Sequence, residues 1–532
     1  MTTLKAVKAS KQEAPKSTSG RKLSLIEVIR SRQTEELVFA FCGPLGSGTS
    51  MVARLISAKL KSCGYKDDSI AVIKLSKLIC DNAVTEGFES LVEGKSKLER
   101  TRLLQDEGNN LRKAHGNDIL AQYAIKEISL QRAKEAKDSE TLTEEGEPIL
   151  LRSRRHVTII DSLKHPDEVS LMQTVYGNMF YLFGVLCPEE IRLERLKDHD
   201  PNSGEAACLI ARDRSESIKH GQQLLRTIYH ADFFIRNTKS NQASLEKPIV
   251  RFIELILGAN KYTPTLDEYA MFMAQAAALR SGCMSRQVGA AIVSESGDII
   301  ATGRNDVPRF GGGLYCAEDG ENDNRCIACG DGECSSDTEK KKILEDLKNA
   351  LKDKLKDKDE SIINALADDF SNNERLKGLI EFSRAVHAEM DAITTAARMG
   401  GAGLRNGILY CTTFPCHHCA RHIVAAGIKK VFYIEPYEKS LAPRLHKDSI
   451  AVEKPGDAPI EGKLTILPFE GVAPRKYLQL FAADGRKKSG VKVEIDFSQA
   501  KPVVQKFLDT HVDYESRVVA FLEKVSSEKK ID

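Results

Sequence analysis

The chain has 532 residues, which is room for two large domains or three smaller ones at roughly 100–200 residues each. Hydrophobic residues make up 41% of it, charged residues 29%, and the formal net charge is +2. That balance excludes a strongly basic nucleic-acid coat, and no run approaches the ~20 apolar residues that cross a bilayer, so no membrane partner is expected.

Residues 1–24, rich in Lys and Ser without an apolar centre, read as a flexible tail rather than an export signal. A cytoplasmic location is therefore expected, with the 13 cysteines reduced; clustered ones then read as metal ligands or catalytic groups. Residues 37–42 (LVFAFC) have the pattern of a buried strand and lead into Gly43-Pro-Leu-Gly-Ser-Gly-Thr-Ser50, then into a segment of helical spacing to about residue 61. Strand, Gly-rich turn and helix in that order are the setting in which backbone N–H groups cradle phosphates. Gly43, Gly46, Gly48, Thr49 and Ser50 are the candidate nucleotide-binding residues, with Ser50 placed to reach Mg²⁺. Thr49 stands where the phosphate-loop lysine belongs, which weakens the case for phosphoryl transfer more than the case for binding. Further strands are predicted at 70–75, 157–160 and 180–186, with helix over 98–133; Asp161 ends the 157–160 run as a candidate magnesium-side carboxylate. Alternating strands and helices predict an α/β domain with a parallel sheet, expected to span 25–258.

A second domain is expected over 259–532. Its predicted elements are a helix over 267–280, a hairpin of strands 288–293 and 299–303, a helix over 382–399, a strand over 407–412, a helix over 416–428 and a strand over 430–434. A strand near 491–495 and a helix near 514–525 follow. Residues 310–379 read as an insertion: loop-like and rich in Gly and Cys at first, then a charged run over 339–359 that reads as a solvated helix face. Cys316, Cys326, Cys329 and Cys334 fall within nineteen residues of it. Four thiolates can close a tetrahedral structural zinc shell, which is the expectation here, with free surface thiols or redox sensing as the alternatives.

Two short motifs carry the chemistry. His387-Ala-Glu389 lies in RAVHAEMDAITTAA, and Pro415-Cys416-His-His-Cys419 follows the predicted strand. Cysteines three apart at a helix start can turn both sulfurs to one face, and the helix N-terminus favours thiolate. With His387 as third ligand, one tetrahedral position stays open for water, which marks a catalytic zinc site. Glu389 is placed to move protons between that water and a substrate. The pairing of H-x-E with P-C-x-x-C is the signature of the zinc nucleobase deaminases, far more specific than either motif alone.

The stretch Arg286-Gln-Val-Gly-Ala-Ala-Ile-Val293, with Ala301-Thr-Gly-Arg-Asn305 after it, resembles the deoxycytidylate deaminase family over about 267–436, interrupted by the insertion. The resemblance implies that Asn305 binds the sugar; Arg304 replaces the family's tyrosine and would add a phosphate contact. Residues 161–168 and the pair Arg212, Arg214 resemble deoxynucleoside monophosphate kinases. A kinase-like half, a deaminase half and a Cys-rich insertion together resemble the bacterial antiphage deoxycytidine-nucleotide deaminases. That resemblance implies an N-terminal P-loop kinase-like parallel-sheet domain before a cytidine-deaminase-like α/β/α domain. It also implies conversion of dCTP and dCMP to dUTP and dUMP, dCTP depletion, restraint by a small RNA in some members, and a homo-oligomer. The alternatives are a deaminase of bases in RNA or single-stranded DNA, a housekeeping dCMP deaminase supplying dUMP, and a nucleotide or RNA sensor with vestigial chemistry.

Overall fold

A computed structural model describes residues 33–138, 154–197, 203–214, 216, 218–238, 242–329, 332–354, 360–371, 373, 382–437, 439–452, 460–482, 486–488, 491–503 and 507–528. The tail at 1–24 lies outside these residues, as do parts of the insertion. Among the described residues no helix is long and apolar enough to cross a membrane.

The strands are β1 (Leu37–Cys42), β2 (Ile70–Lys74), β3 (Val157–Asp161), β4 (Phe180–Leu186), β5 (Phe233–Arg236), β6 (Gly289–Val293), β7 (Ile299–Arg304), β8 (Ile408–Thr413), β9 (Lys430–Glu435), β10 (Ile450–Val452), β11 (Leu464–Pro468) and β12 (Gly471–Val472), followed by the small ladder β13 (Lys487–Lys488) and β14 (Val491–Lys492). A first sheet has the order β12-β5-β4-β1-β3-β2, parallel except at β12. β1 lies inside this sheet with every residue buried, which is why it reads as a continuous apolar run rather than an alternating one. Phe39, Phe41, Tyr181, Phe183 and Phe233 pack across β1, β4 and β5 on one face, Phe183 stacked on Phe41 and Phe233 and Phe39 edge-on to Tyr181 and Phe183. The glycine-rich turn leaves the carboxyl end of β1, where open parallel sheets bind ligands.

The second sheet has the order β10-β11-β9-β8-β6-β7, and the predicted β6–β7 hairpin is present. Its strand residues alternate between two layers. Ala290 and Ile292 pack with Ala388, Ala392, Cys419 and Ala420 from the helices Ala388–Arg398 and His417–Ala425. Ala291 and Val293 instead join Ala270, Met271 and Ala274 of the helix Leu266–Ala278. Gly289 and Gly303 sit where helices approach most closely. A Cβ at Gly289 would lie 1.8 Å from the Ala274 carbonyl oxygen, and one at Gly303 would lie 2.2 Å from that of Ala388.

The C-terminal segment returns to the first sheet. β12 pairs antiparallel with β5, and the helix Leu508–Glu528 packs on the helix Ile119–Asp138. Buried Arg132 ties these parts together, pairing with Glu36 at 2.6 Å and with Glu515 of the last helix. Charged partners in that setting satisfy one another where water cannot.

Several helix boundaries differ from the predicted ones. Residues 382–387 are not helical: Val386 bridges to Asp306, and the helix begins at Ala388 with His387 as its N-cap. The next helix begins at His417, with Cys416 as its N-cap. The predicted helix over 98–133 is two helices, Lys97–His115 and Ile119–Asp138, broken at Gly116, whose φ is 109°. The charged run is the helix Ser335–Lys354, which buries none of its residues, as a solvated face requires.

Candidate active site at two helix N-termini

His387, Cys416 and Cys419 are brought together by two neighbouring helix starts that rest on one face of the second sheet. His387 Nδ1 lies 3.4 Å from the sulfur of Cys416 and 3.4 Å from that of Cys419. The Cys419 backbone N–H donates to Cys416 Sγ at 3.4 Å, which caps the helix and stabilises negative charge on that sulfur. The Cys416 thiol is lowered to about 4, first through the bond from the Cys419 thiol and then through His387. The His387 imidazole is raised to about 9 by Cys416, and the Cys419 thiol is pushed up by its bond to Cys416 and by burial. Three donors sharing protons in this way suit a cation that displaces them.

The donor set fits zinc. All three ligand atoms lie within 4.8 Å of one another, and two sulfurs with one imidazole nitrogen are its preferred chemistry. Glu389, in the first turn after His387, is 4% exposed, and burial raises its carboxyl above the usual range. His387, Glu389 and Cys416 line a cavity of about 810 Å³, together with Arg286, Asn305, Thr413, Phe414 and Glu435.

The model of the cytidine and deoxycytidylate deaminase zinc-binding region matches residues 264–435. The phage T4 deoxycytidylate deaminase is 32% identical over 163 residues, which is 30% of this chain and 72% of that protein. The chain belongs to the deoxycytidylate deaminase family. The deoxycytidylate deaminase of Schizosaccharomyces pombe is 31% identical over 182 residues, covering 34% of this chain and 41% of the relative. That of Saccharomyces cerevisiae is 30% identical over 196 residues, covering 36% and 42%. The chain thus spans about two fifths of the length of these two yeast relatives.

Within the family region Asn305 stands in the cavity wall. Its side chain accepts from the Val288 N–H at 2.7 Å and donates to the Arg286 carbonyl at 2.8 Å, so it ties the two edges of the hairpin together. The phosphate contact expected of Arg304 is not what the structure shows. Its guanidinium donates to the Tyr315 carbonyl at 2.9 Å and lies 3.8 Å from Asp306, buried and outside the cavity wall. Strand alternation explains this: Arg304 and Asn305 are adjacent on an extended chain and must point apart.

The expected four-cysteine zinc shell is likewise not formed. Among the described residues His387, Cys416 and Cys419 are the only set of three or more ligand groups drawn together. Cys316 bonds to Asp319 at 3.4 Å and Cys329 to Asn324 at 3.7 Å, while Cys326 and Cys334 line the cavity. Cys316 and Cys329 thus have partners within five residues, and the structure does not draw the four sulfurs into one cluster. Also in the wall, and unmarked as site residues in the sequence, are Arg226 and Glu216 of the N-terminal half. No local motif points to either, because only tertiary packing brings them there.

At the other candidate site, Gly46 and Gly48 hold φ of 82° and 86°, and Thr49 opens the helix Thr49–Ser62. Ser50 Oγ donates to Asp161 Oδ2 at 2.8 Å. Gly43 accepts from Lys164 Nζ at 2.7 Å through its carbonyl, and the Leu45 N–H donates to Asp213 at 2.8 Å. If the three-donor set holds the metal, Cys419→Ala should bring bound zinc, read by atomic emission on the purified protein, down to background. Zinc retained at the wild-type level would place the metal elsewhere.

Proposed function

We propose that the protein hydrolyses deoxycytidine nucleotides, dCMP, dCTP or both, to deoxyuridine nucleotides and ammonia. What supports the reading is the convergence of His387, Cys416, Cys419 and buried Glu389 on one cavity in a region of the deoxycytidylate deaminase family. His387, Cys416 and Cys419 would hold zinc, which when bound acidifies a coordinated water. The raised carboxyl of Glu389 is suited to carrying a proton to the pyrimidine N3 and then to the departing ammonia, since an acid poised nearer neutrality both gives and takes protons readily. Two helix N-termini supply fixed positive potential around the thiolates. The test is incubation of the zinc-loaded protein with dCMP, dCTP, CTP and cytosine-containing oligonucleotides, following ammonia and uracil products. Turnover confined to oligonucleotides would overturn the free-nucleotide reading.

The N-terminal half is proposed to be a P-loop, kinase-like domain that binds a nucleotide with Mg²⁺ and regulates the deaminase. The parallel sheet, the two glycines at positive φ and the Ser50–Asp161 pair support it. Asp213 occupies a turn N–H that a phosphate would need, so an arriving phosphate has to displace a carboxylate. Asp213 is three residues from Glu216, which lines the cavity with Arg226, so the two candidate sites are close along the chain. Gly48→Asp puts a side chain where Asn237 Nδ2 would lie 2.4 Å from its Cβ and adds negative charge. Nucleotide binding at the turn should be lost, and with it any response of the deamination rate to added nucleotide. Unchanged binding and kinetics would sink the regulatory role.

The finer reading, depletion of dCTP as antiphage defence by a homo-oligomer restrained by a small RNA, rests on resemblance in domain layout. A fall in cellular dCTP on infection that disappears with Glu389→Ala is its expected sign.

A further inference from the structure

The cavity over His387 and Glu389 is built by three separated parts of the chain. These are the family site with buried Glu389, then Cys326, Cys334, Asp337 and Lys340 of the insertion, and Glu216, Leu225 and Arg226 of the N-terminal half.

Charge in the wall is unevenly committed. Arg286 is paired with Glu435 at 2.6 Å, and Glu216 is paired with Arg212. Asp306 accepts from the Gly282 and Val307 N–H groups. Arg226 is exposed and makes only a 3.3 Å bond to neutral Gln223; no carboxylate pairs with it among the described residues. The short helix that carries it, Leu224–Tyr229, packs on β9, the strand that ends at Glu435. Arg226 therefore lines the same cavity as the Arg286–Glu435 pair, exposed to solvent and with its charge unspent.

Substrate geometry gives that charge a use. The cytosine C4 must face Glu389 and the donor set at the buried floor. The phosphates, at the opposite end of the nucleotide, then point to the mouth. An arginine there binds phosphate oxygens through a planar fork of N–H donors.

We infer that Arg226, from the N-terminal half, is a specificity-determining residue of the deaminase site that binds the phosphate tail of the substrate beyond the first phosphate and so favours a triphosphate over a monophosphate. This rests on the deoxycytidine-nucleotide reading above. The active site is then completed by the kinase-like half.

The experiment is steady-state deamination of dCTP and dCMP by the full-length, zinc-loaded wild type and by Arg226→Ala and Arg226→Lys. Losing a charge-assisted contact to phosphate should lower the dCTP:dCMP ratio of kcat/KM on the order of tenfold. The change should fall in KM for dCTP, with lysine restoring part of it. Arg226 is exposed, so thermal unfolding of both variants should match the wild type. An unchanged ratio, or a loss carried by kcat alike on both nucleotides, would overturn the role of Arg226 alone. Turnover of neither nucleotide by the wild type would overturn the deamination reading and this inference with it.

Discussion

Glu389→Gln is expected to lower kcat for deoxycytidine nucleotides by roughly 10²–10⁴-fold, the range for removing a positioned proton carrier. Glutamine keeps the shape of the side chain and fits a buried position, where Glu389 is 4% exposed. The fold should therefore hold. Bound zinc should stay at the wild-type level, because the three donors are His387, Cys416 and Cys419 and do not include Glu389. This separates a chemical defect from a metal defect, which Cys419→Ala cannot do. Rapid-quench turnover with metal analysis on the same sample is the measurement. A variant that kept more than a tenth of wild-type turnover would remove Glu389 from the proton path.

Gly303→Ala is expected to be strongly damaging for a single added methyl outside the site itself. The added Cβ would lie 2.2 Å from the Ala388 carbonyl oxygen and 2.4 Å from the Ala392 backbone nitrogen. Both are backbone atoms of the helix that begins at Ala388, so no side-chain rotation relieves the clash. The helix must lift from β7. Overpacking of this kind costs about 1–3 kcal/mol or more, and a shift near 1 Å in a catalytic group can cost on the order of 10²-fold in rate. Lower thermal stability and a fall in kcat should appear together, although residue 303 bears no functional group. Wild-type melting and turnover would show that helix and strand can separate freely, and that the close approach does not position Glu389.

The candidate constellation is legible because its motifs are short-range. His387 and Glu389 are two residues apart at one helix start, and Cys416 and Cys419 are three apart at the next. Helical rise and turn set the cysteines three apart on one face, whereas residues two apart do not face each other on a helix; His387 and Glu389 reach the same site because His387 is the N-cap, outside the helix. β1 and the β6–β7 hairpin were legible for a similar reason, since an unbroken apolar run and a short Gly-containing turn leave few alternatives. The exact helix starts were not. His387 and Cys416 are N-caps outside their helices, held there by contacts such as the Val386–Asp306 bridge that lie far along the chain.

The Cys-rich insertion shows the opposite case. The spacing of Cys316, Cys326, Cys329 and Cys334 predicts that they converge, yet Cys316 bonds to Asp319 and Cys329 to Asn324 within the same loop. Arg304 is similar: a replacement at a family position looked like a new phosphate contact, and strand alternation turned it into the protein.

The candidate ligand types, their grouping near two helix starts, the acid beside them and the glycine-rich turn after β1 can all be read from local sequence. These depend on backbone geometry over a few residues. That β12 and the final helix close back on the first sheet, that Asp213 covers a turn N–H, and that Arg226 lines the cavity emerge only from the folded chain. Those juxtapositions join residues far apart along the chain, where burial of apolar surface selects the packing and no local periodicity records the outcome.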